Sequence, residues 1–153
     1  MTEVSQTTIE RVLEIYNPDS RVLQEANINY PVVNGKFFVG QCSYASRFEH
    51  ITDIEVQLCL NQILYVTTHE AIVRKLDEGL RGLDFFALQK EGMLITHSRK
   101  RFRKQIPSDR SFRGSMVFKN RRMYQDRIFY SVDFDFENKS CVGDLELVVV
   151  KPQ

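Results

Sequence analysis

The alternation of apolar and polar positions in the second half of the chain predicts an antiparallel sheet. From Leu94 onward, four extended runs rich in β-branched and aromatic residues are separated by turn residues. In the third run, apolar residues alternate with charged or polar ones from Arg127 to Phe136, as expected of a strand with one buried face. Residues 137–140, ENKS, are predicted to form the turn that follows this strand.

A short helix and a hairpin are predicted near the start of the chain. Residues 7–16 carry apolar side chains at helical spacing. The dipeptide Asn34-Gly35 lies between two apolar runs, and both residue types tolerate the positive φ of a tight turn. We therefore expect strands near 27–33 and 36–46, joined at this dipeptide.

The middle of the chain predicts one long helix. Thr52 and Glu55 have the spacing of a capping box, and Asp53 adds negative charge to the first turn. Apolar residues are dense after this point, and Gly79 is the predicted end, which gives a helix of about 25 residues. A helix this apolar is expected to pack against the sheet rather than face solvent.

The order of these elements predicts the α+β class, with a curved antiparallel sheet wrapped around a central helix. A chain of 153 residues is expected to form a single domain over 1–153. Residues 80–92, between the long helix and the sheet, are too apolar for a plain surface loop. We expect this segment to cover a pocket or a subunit interface.

Composition narrows the cellular setting. The three cysteines are an odd number without paired spacing, which indicates reduced thiols in a cytoplasmic protein. The N-terminal residues lack the apolar core of a signal peptide. No apolar stretch approaches the roughly 20 residues that a membrane span needs.

Charge is distributed unevenly along the chain. Between Arg99 and Arg127 there are eleven Lys/Arg and two Asp/Glu, so this segment carries +9 while the rest carries −8, for a total of +1. The segment contains the run SRKRFRK at 98–104. On a strand this run places Lys100 on one face and Arg99 on the other. An anionic partner and a solvated surface both fit, whereas no nucleic-acid-binding motif is present and we expect no nucleic acid partner.

A line of polar side chains crosses the otherwise apolar long helix. Helical spacing places Gln57, Asn61, Tyr65 and Thr68 along one side. Burying such groups without partners costs on the order of 1–3 kcal/mol each. The line therefore either hydrogen-bonds to neighbouring strands or faces a substrate in a cleft.

His50 precedes the predicted start of the long helix, where unpaired backbone N–H groups could polarise a carbonyl oxygen. A histidine at such a position is either a structural hydrogen-bonding residue or a proton shuttle. His69 and His97 lack metal-ligand spacing to His50, and the chain has no GxSxG, GxGxxG or Walker-type loop. We expect no metal and no cofactor.

Three stretches together resemble the FcoT-like family of long-chain fatty acyl-CoA thioesterases. They are GQCSYASRFEHITDIEVQLCLNQILY at 40–65, SRKRFRKQI at 98–106 and GDLELVVV at 143–150, and the resemblance extends over residues 9–150. The resemblance implies the hot-dog fold, in which a sheet wraps a long helix, and assembly as a homodimer or higher homo-oligomer.

The resemblance also implies a set of site residues. The family lacks the acidic residue that other hot-dog thioesterases carry on the helix, and here Asn61 occupies that region. Tyr16, Tyr44 and Asn61 correspond to the family's proposed polar site residues. Where the family has an asparagine shortly after the histidine, this chain has Thr52.

From these features we predict an enzyme that hydrolyses fatty acyl-CoA or acyl-carrier-protein thioesters. In this hypothesis backbone N–H groups at the helix tip hold the oxyanion, Asn61 and Tyr44 orient the nucleophile, and His50 moves a proton. The remaining predicted substrate-binding residues are Thr52, Gln57, Tyr65 and, at the phosphates, Arg101, Arg103 and Lys104. Two alternatives are addition of glycine to the β-carbon of a (2E)-enoyl-carrier-protein thioester, as in isonitrile lipopeptide pathways, and a non-catalytic acyl or carrier-protein binding module.

Overall fold

The computed structural model describes residues 2–40 and 49–152, and it confirms the predicted α+β class. Short 3-10 turns connect several of the main elements. In chain order these elements are β1 (Thr2–Glu3), α1 (Gln6–Val12), β2 (Leu23–Asn29), β3 (Val32–Phe37), α2 (Asp53–Val73), α3 (Phe85–Glu91), β4 (Met93–Phe102), β5 (Phe112–Tyr124), β6 (Arg127–Phe136) and β7 (Cys141–Val150).

The strands in the described ranges form one seven-stranded sheet with the order β1-β2-β3-β5-β6-β7-β4. Every neighbouring pair is antiparallel. The four strands predicted in the second half of the chain are all present, and residues 137–140 form the predicted turn between β6 and β7. Strand β4 lies at one edge of the sheet, where it pairs with β7.

The first hairpin turns four residues earlier than predicted. β2 and β3 are joined at Tyr30 and Pro31, whose peptide bond is cis, and Asn34-Gly35 lies inside β3. A Cβ atom at Gly35 would approach Ile63 Cδ1 of α2 to 2.6 Å. Glycine is needed at this position because helix and sheet come into close contact there, not because the chain turns.

The long helix begins as predicted and ends sooner. The capping box of Thr52 and Glu55 is present at its N-terminus. The helix has 21 residues and does not extend to Gly79, because Lys75 adopts a left-handed conformation with φ of 56°. The Leu76 N–H then donates to the Ala71 carbonyl across 2.9 Å, which completes a Schellman-type end without glycine. None of the helices in the described ranges is long and apolar enough to cross a bilayer.

A buried carboxylate joins the C-terminal end of α2 to the sheet. Asp77 accepts hydrogen bonds from Tyr30 Oη and from the Gly79 N–H, each across 2.8 Å, and pairs with the Arg121 guanidinium. Burial raises the pKa of Asp77, but hydrogen bonds from Tyr30, Gly79 and Arg121 outweigh it and hold this pKa below its ordinary value. Asp77 is therefore ionised at neutral pH and ties three separate segments together.

Candidate active site

A cleft of about 410 Å³ lies between the middle of α2 and the edge strand β4. The walls combine apolar side chains with two amides, a phenol and hydroxyl groups. This mixture is typical of a site that holds an apolar ligand and orients one polar group. The lining residues are Gln57, Asn61, Leu64 and Tyr65 of α2, Met93, Leu94, Ile95, Thr96, His97 and Ser98 of β4, and Leu147 of β7.

One hydrogen bond connects the two walls of the cleft, and a second runs along α2. Gln57 Nε2 donates to Asn61 Oδ1, one helical turn further on, across 3.0 Å. Ser98 Oγ on β4 donates to Gln57 Oε1 across 3.2 Å. The polar line predicted on α2 is thus partly bonded to a strand and partly open to the cleft. Its fourth member, Thr68, is buried and lies outside the lining of the cleft.

Tyr65 lines the cleft, and a second phenol, Tyr16, packs against it from outside the cleft lining. The Tyr16 and Tyr65 rings lie 6.3 Å apart between centroids, and Tyr65 also contacts Phe85 of α3. Burial, reinforced by the neighbouring Tyr65, raises the pKa of Tyr16 well above its ordinary value, and burial also raises the pKa of Tyr65. Both hydroxyls are protonated at physiological pH, so they can donate hydrogen bonds but not act as bases.

A β-bulge shapes the β4 wall. The pairing of β4 with β7 shifts between Ile95 and His97, because one extra residue lies on β4 at this point. The shift changes which side chains face α2. Met93 and Ile95 are half-buried before the bulge, and Ser98 and Lys100 are half-buried after it.

The tip of α2 borders a second cavity, of about 440 Å³, rather than the cleft. The structure places His50 and Thr52 in the lining of this cavity and Asn61 in the lining of the cleft, and their predicted roles stay predictions. The cavity lining contains the predicted residues His50, Thr52, Arg103 and Lys104 together with Ile51, Asp53, Phe102 and Gln105.

At the helix tip, the Thr52 N–H donates to Glu55 Oε1 across 2.7 Å, and Glu55 is fully buried. The capping box thus engages one of the backbone N–H groups at the helix tip, where we predicted that the oxyanion binds. Arg101 is exposed outside this cavity. Tyr44 lies outside the described residues.

The family model described as FcoT-like thioesterase domain matches residues 11–149. This chain belongs to that family. The resemblance seen in three short stretches is confirmed over most of the chain.

Curated relatives and solved structures extend this comparison. A (2E)-enoyl-ACP glycyltransferase of Mycobacterium marinum is 25% identical over 97% of this chain and 88% of that protein. A protein of the same name from Mycobacterium tuberculosis is 29% identical over 67% of this chain and 61% of that protein.

A thioesterase from Haemophilus influenzae superimposes with a TM-score of 0.59 at 11% identity, covering 97% of this chain and 92% of that one. A Streptococcus mutans protein bound to acetyl CoA gives a TM-score of 0.51 at 9% identity, covering 86% and 90%. These structures show that the FcoT-like chain has the predicted hot-dog fold.

Three residues of the FcoT-like site escaped prediction from the sequence. For the run that contains Ser98 and Lys100, the sequence indicates either an anionic partner or a solvated surface, and it offers His97 only as a possible metal ligand. His97 lines the cleft, and its Nε2 lies 3.7 Å from Asp144 Oδ1. The offset between the apolar pair Met93 and Ile95 and the polar pair Ser98 and Lys100 is the signal of a bulge that could have identified them.

The described part of this FcoT-like chain does not contain a set of metal ligands. No group of three or more His, Cys, Asp or Glu residues there is arranged to hold a metal ion. No aspartate or glutamate lines the cleft among the residues described. Within the described ranges, the cleft lining offers amides, hydroxyls, one neutral phenol and one imidazole for chemistry.

Proposed function

We propose that this protein hydrolyses acyl thioesters in the cleft between α2 and β4. The observation that carries the proposal is the position of Asn61, whose amide faces a cleft walled by Leu64, Met93, Ile95 and Leu147. Apolar walls suit an acyl chain, and an amide N–H suits the negative charge that develops on a thioester carbonyl oxygen. Membership of the FcoT-like thioesterase family supports the same class of substrate.

The proposed reaction is a direct displacement by water. The water oxygen bonds to the carbonyl carbon, the C–S bond breaks, and the proton lost by water ends on the departing thiol. Asn61 donates to the carbonyl oxygen. Because Tyr16 and Tyr65 hold their protons, they can donate hydrogen bonds but cannot take the proton from water. His97 supplies an imidazole to the cleft wall, and imidazole is the side chain that most often transfers protons in enzymes.

Separate replacement of the two histidines tests this assignment. We expect His97→Gln to lower kcat by at least about tenfold, as loss of a positioned proton-transfer group does, because His97 borders the cleft and His50 borders the other cavity. The measurement is kcat and KM of both single variants on the same thioester. If kcat falls in His50→Gln as much as in His97→Gln, or more, the proton-transfer group would be His50 rather than His97.

The second cavity and its cationic rim suit the phosphates of coenzyme A or of a carrier-protein phosphopantetheine. Arg101, Arg103 and Lys104 are exposed, so their charges are available to a phosphate. Thr52 and His50 provide further polar groups in the same place. An extended thiol arm would then lead from this cavity along β4 toward Asn61.

Charge reversal at the rim should weaken substrate binding without slowing the chemical step. We expect Arg103→Glu combined with Lys104→Glu to raise KM for an acyl-CoA by about tenfold or more while kcat changes little. The dependence of KM on salt should also become weaker. The matched control is Arg81→Glu combined with Lys90→Glu, which also reverses two exposed charges but away from this cavity. An unchanged KM in the double variant would show that these cations do not hold the phosphates.

The second candidate function is addition of glycine to an enoyl thioester. The names of the curated relatives favour it. The amine nitrogen would bond to the β-carbon, the electrons of the double bond would move toward the carbonyl to form an enolate, and the α-carbon would take up the proton released by the amine. Asn61 would again donate to the carbonyl oxygen, because an enolate carries its negative charge there.

One assay separates the candidate functions. Free thiol is measured with palmitoyl-CoA, and the mass of a crotonyl-carrier substrate is followed with and without glycine. Thiol release supports hydrolysis, and a mass gain of one glycine without thiol release supports addition. If neither occurs while the carrier or acyl-CoA still binds, the protein is a non-catalytic binding module.

We further propose that the protein works in the cytoplasm as a homodimer formed along β4. This strand lies at the sheet edge, and Leu94 and Phe102 on it are 59% and 38% exposed. Among the described strands, β4 is an edge with exposed apolar residues, and such an edge favours pairing with a second copy. Light scattering on the purified protein should give twice the monomer mass, and a monomer would contradict the proposal.

A further inference from the structure

Lys100 is a largely covered cation on β4, outside the lining of the cleft. Only 10% of its side chain is exposed, and its Nζ lies 3.0 Å from Asp53 Oδ1 in the first turn of α2. The same Nζ donates to Ser98 Oγ across 3.1 Å. Lys100 therefore stands at the head of a chain of hydrogen bonds that continues through Ser98 and Gln57 to Asn61.

The chemistry of each member gives this series of hydrogen bonds a direction. A lysine ammonium has three donors and no acceptor, so Ser98 Oγ must accept from Lys100. The hydroxyl proton of Ser98 is then free to donate to Gln57 Oε1. With its oxygen turned to Ser98, Gln57 presents its amide nitrogen to Asn61 Oδ1.

The direction decides what Asn61 offers to the cleft. The two ends of an amide side chain are distinguished by their hydrogen-bond partners. Because the oxygen of Asn61 accepts from Gln57, its nitrogen is the end left for a ligand. We infer that Lys100 is a positioning residue that fixes Asn61 as a hydrogen-bond donor toward the substrate carbonyl oxygen.

This inference rests on the proposed function for its consequence in catalysis, but the orientation of Asn61 can be tested without turnover. The side-chain amide signals of Asn61 and Gln57, in protein labelled with ¹⁵N and assigned by substitution, report on their hydrogen bonds. We expect Lys100→Met and Ser98→Ala each to shift both sets of signals. Lys119→Met, which removes an exposed cation on β5, is the matched control and should leave them in place.

The kinetic part uses whichever thioester the wild-type protein converts. We expect Lys100→Met to lower kcat by roughly tenfold, as loss of an orienting partner does, with KM within about twofold. Lys100→Arg keeps a group that only donates and should restore most of kcat, whereas Lys100→Gln adds an acceptor and should not. In the Asn61→Ala background, Lys100→Met should cause no further loss, because Lys100 acts through Asn61.

The outcomes are distinct. Unmoved amide signals in both Lys100→Met and Ser98→Ala would overturn the inference, and so would additive losses of kcat in the double variant. If the amide signals shift in these variants but the wild-type protein converts no thioester, the result would support the orientation of Asn61 and refute the proposed function. The Ser98→Ala variant, which retains both charges of the Lys100–Asp53 pair, gives the same test should Lys100→Met fail to fold.

Discussion

Asn61→Asp is expected to lower kcat by about 100-fold, in the range seen when a donor to an oxyanion is lost. The substitution keeps the shape of the side chain and replaces the N–H donor with a carboxylate oxygen. Negative charge develops on the substrate carbonyl oxygen in the transition state, and the carboxylate oxygen would repel it. The substitution therefore slows the chemical step. KM should change little, because the walls that hold the acyl chain are untouched.

Asn61→Ala and Asn120→Asp complete this experiment. Asn61→Ala removes the donor without adding charge. Its kcat should therefore fall by at least about tenfold, but by less than that of Asn61→Asp. Asn120→Asp makes the same chemical change at an exposed position on β5 and should leave kcat unaltered. If Asn61→Asp turned over as fast as the wild type, Asn61 would have no part in the reaction.

Asp77→Ala is expected to lower the free energy of unfolding by about 3 kcal/mol, because a buried acceptor with several donors is removed. The Tyr30 hydroxyl, the Gly79 N–H and the Arg121 guanidinium would all lose their shared partner. Urea denaturation at pH 7 measures the change. Asp133→Ala is the control: Asp133 pairs with Lys119 at the surface of the same sheet, so its loss should cost no more than about 0.5 kcal/mol.

The pH dependence of stability gives an independent check on Asp77. The folded pKa of Asp77 lies below its ordinary value, which is about 3.9. Its ionisation therefore stabilises the fold fully above that value and less as the pH falls through the folded pKa. Between pH 5 and pH 2, wild-type stability should fall more steeply than that of Asp77→Ala. Parallel curves would show that Asp77 is not held ionised by these partners.

The elements that sequence predicts well are those governed by local rules. The alternation from Arg127 to Phe136 coincides with β6, and the Thr52–Glu55 capping box marks the start of α2. The predicted position of the hairpin turn was wrong because Asn34-Gly35 satisfies the rule for a turn, while the glycine is needed for contact with α2. A tertiary contact of this kind leaves no local signal in the sequence.

The candidate site was predictable in part for the same reason. Spacing along one helix is enough to group Gln57, Asn61 and Tyr65, and these residues do line one cleft. The contribution of β4 depends on a bulge, which reverses the facing of every later side chain on the strand. Ser98 and Lys100 thereby reach α2, whereas the run that contains them reads as a surface charge cluster.

The most direct test of the account is a crystal structure with an acyl-CoA analogue in which NH replaces the thioester sulfur. We expect the acyl chain in the cleft between α2 and β4, with the carbonyl oxygen within about 3.2 Å of Asn61 Nδ2. A carbonyl oxygen bound instead at the tip of α2 beside Thr52, or an acyl chain lying outside the cleft, would contradict it.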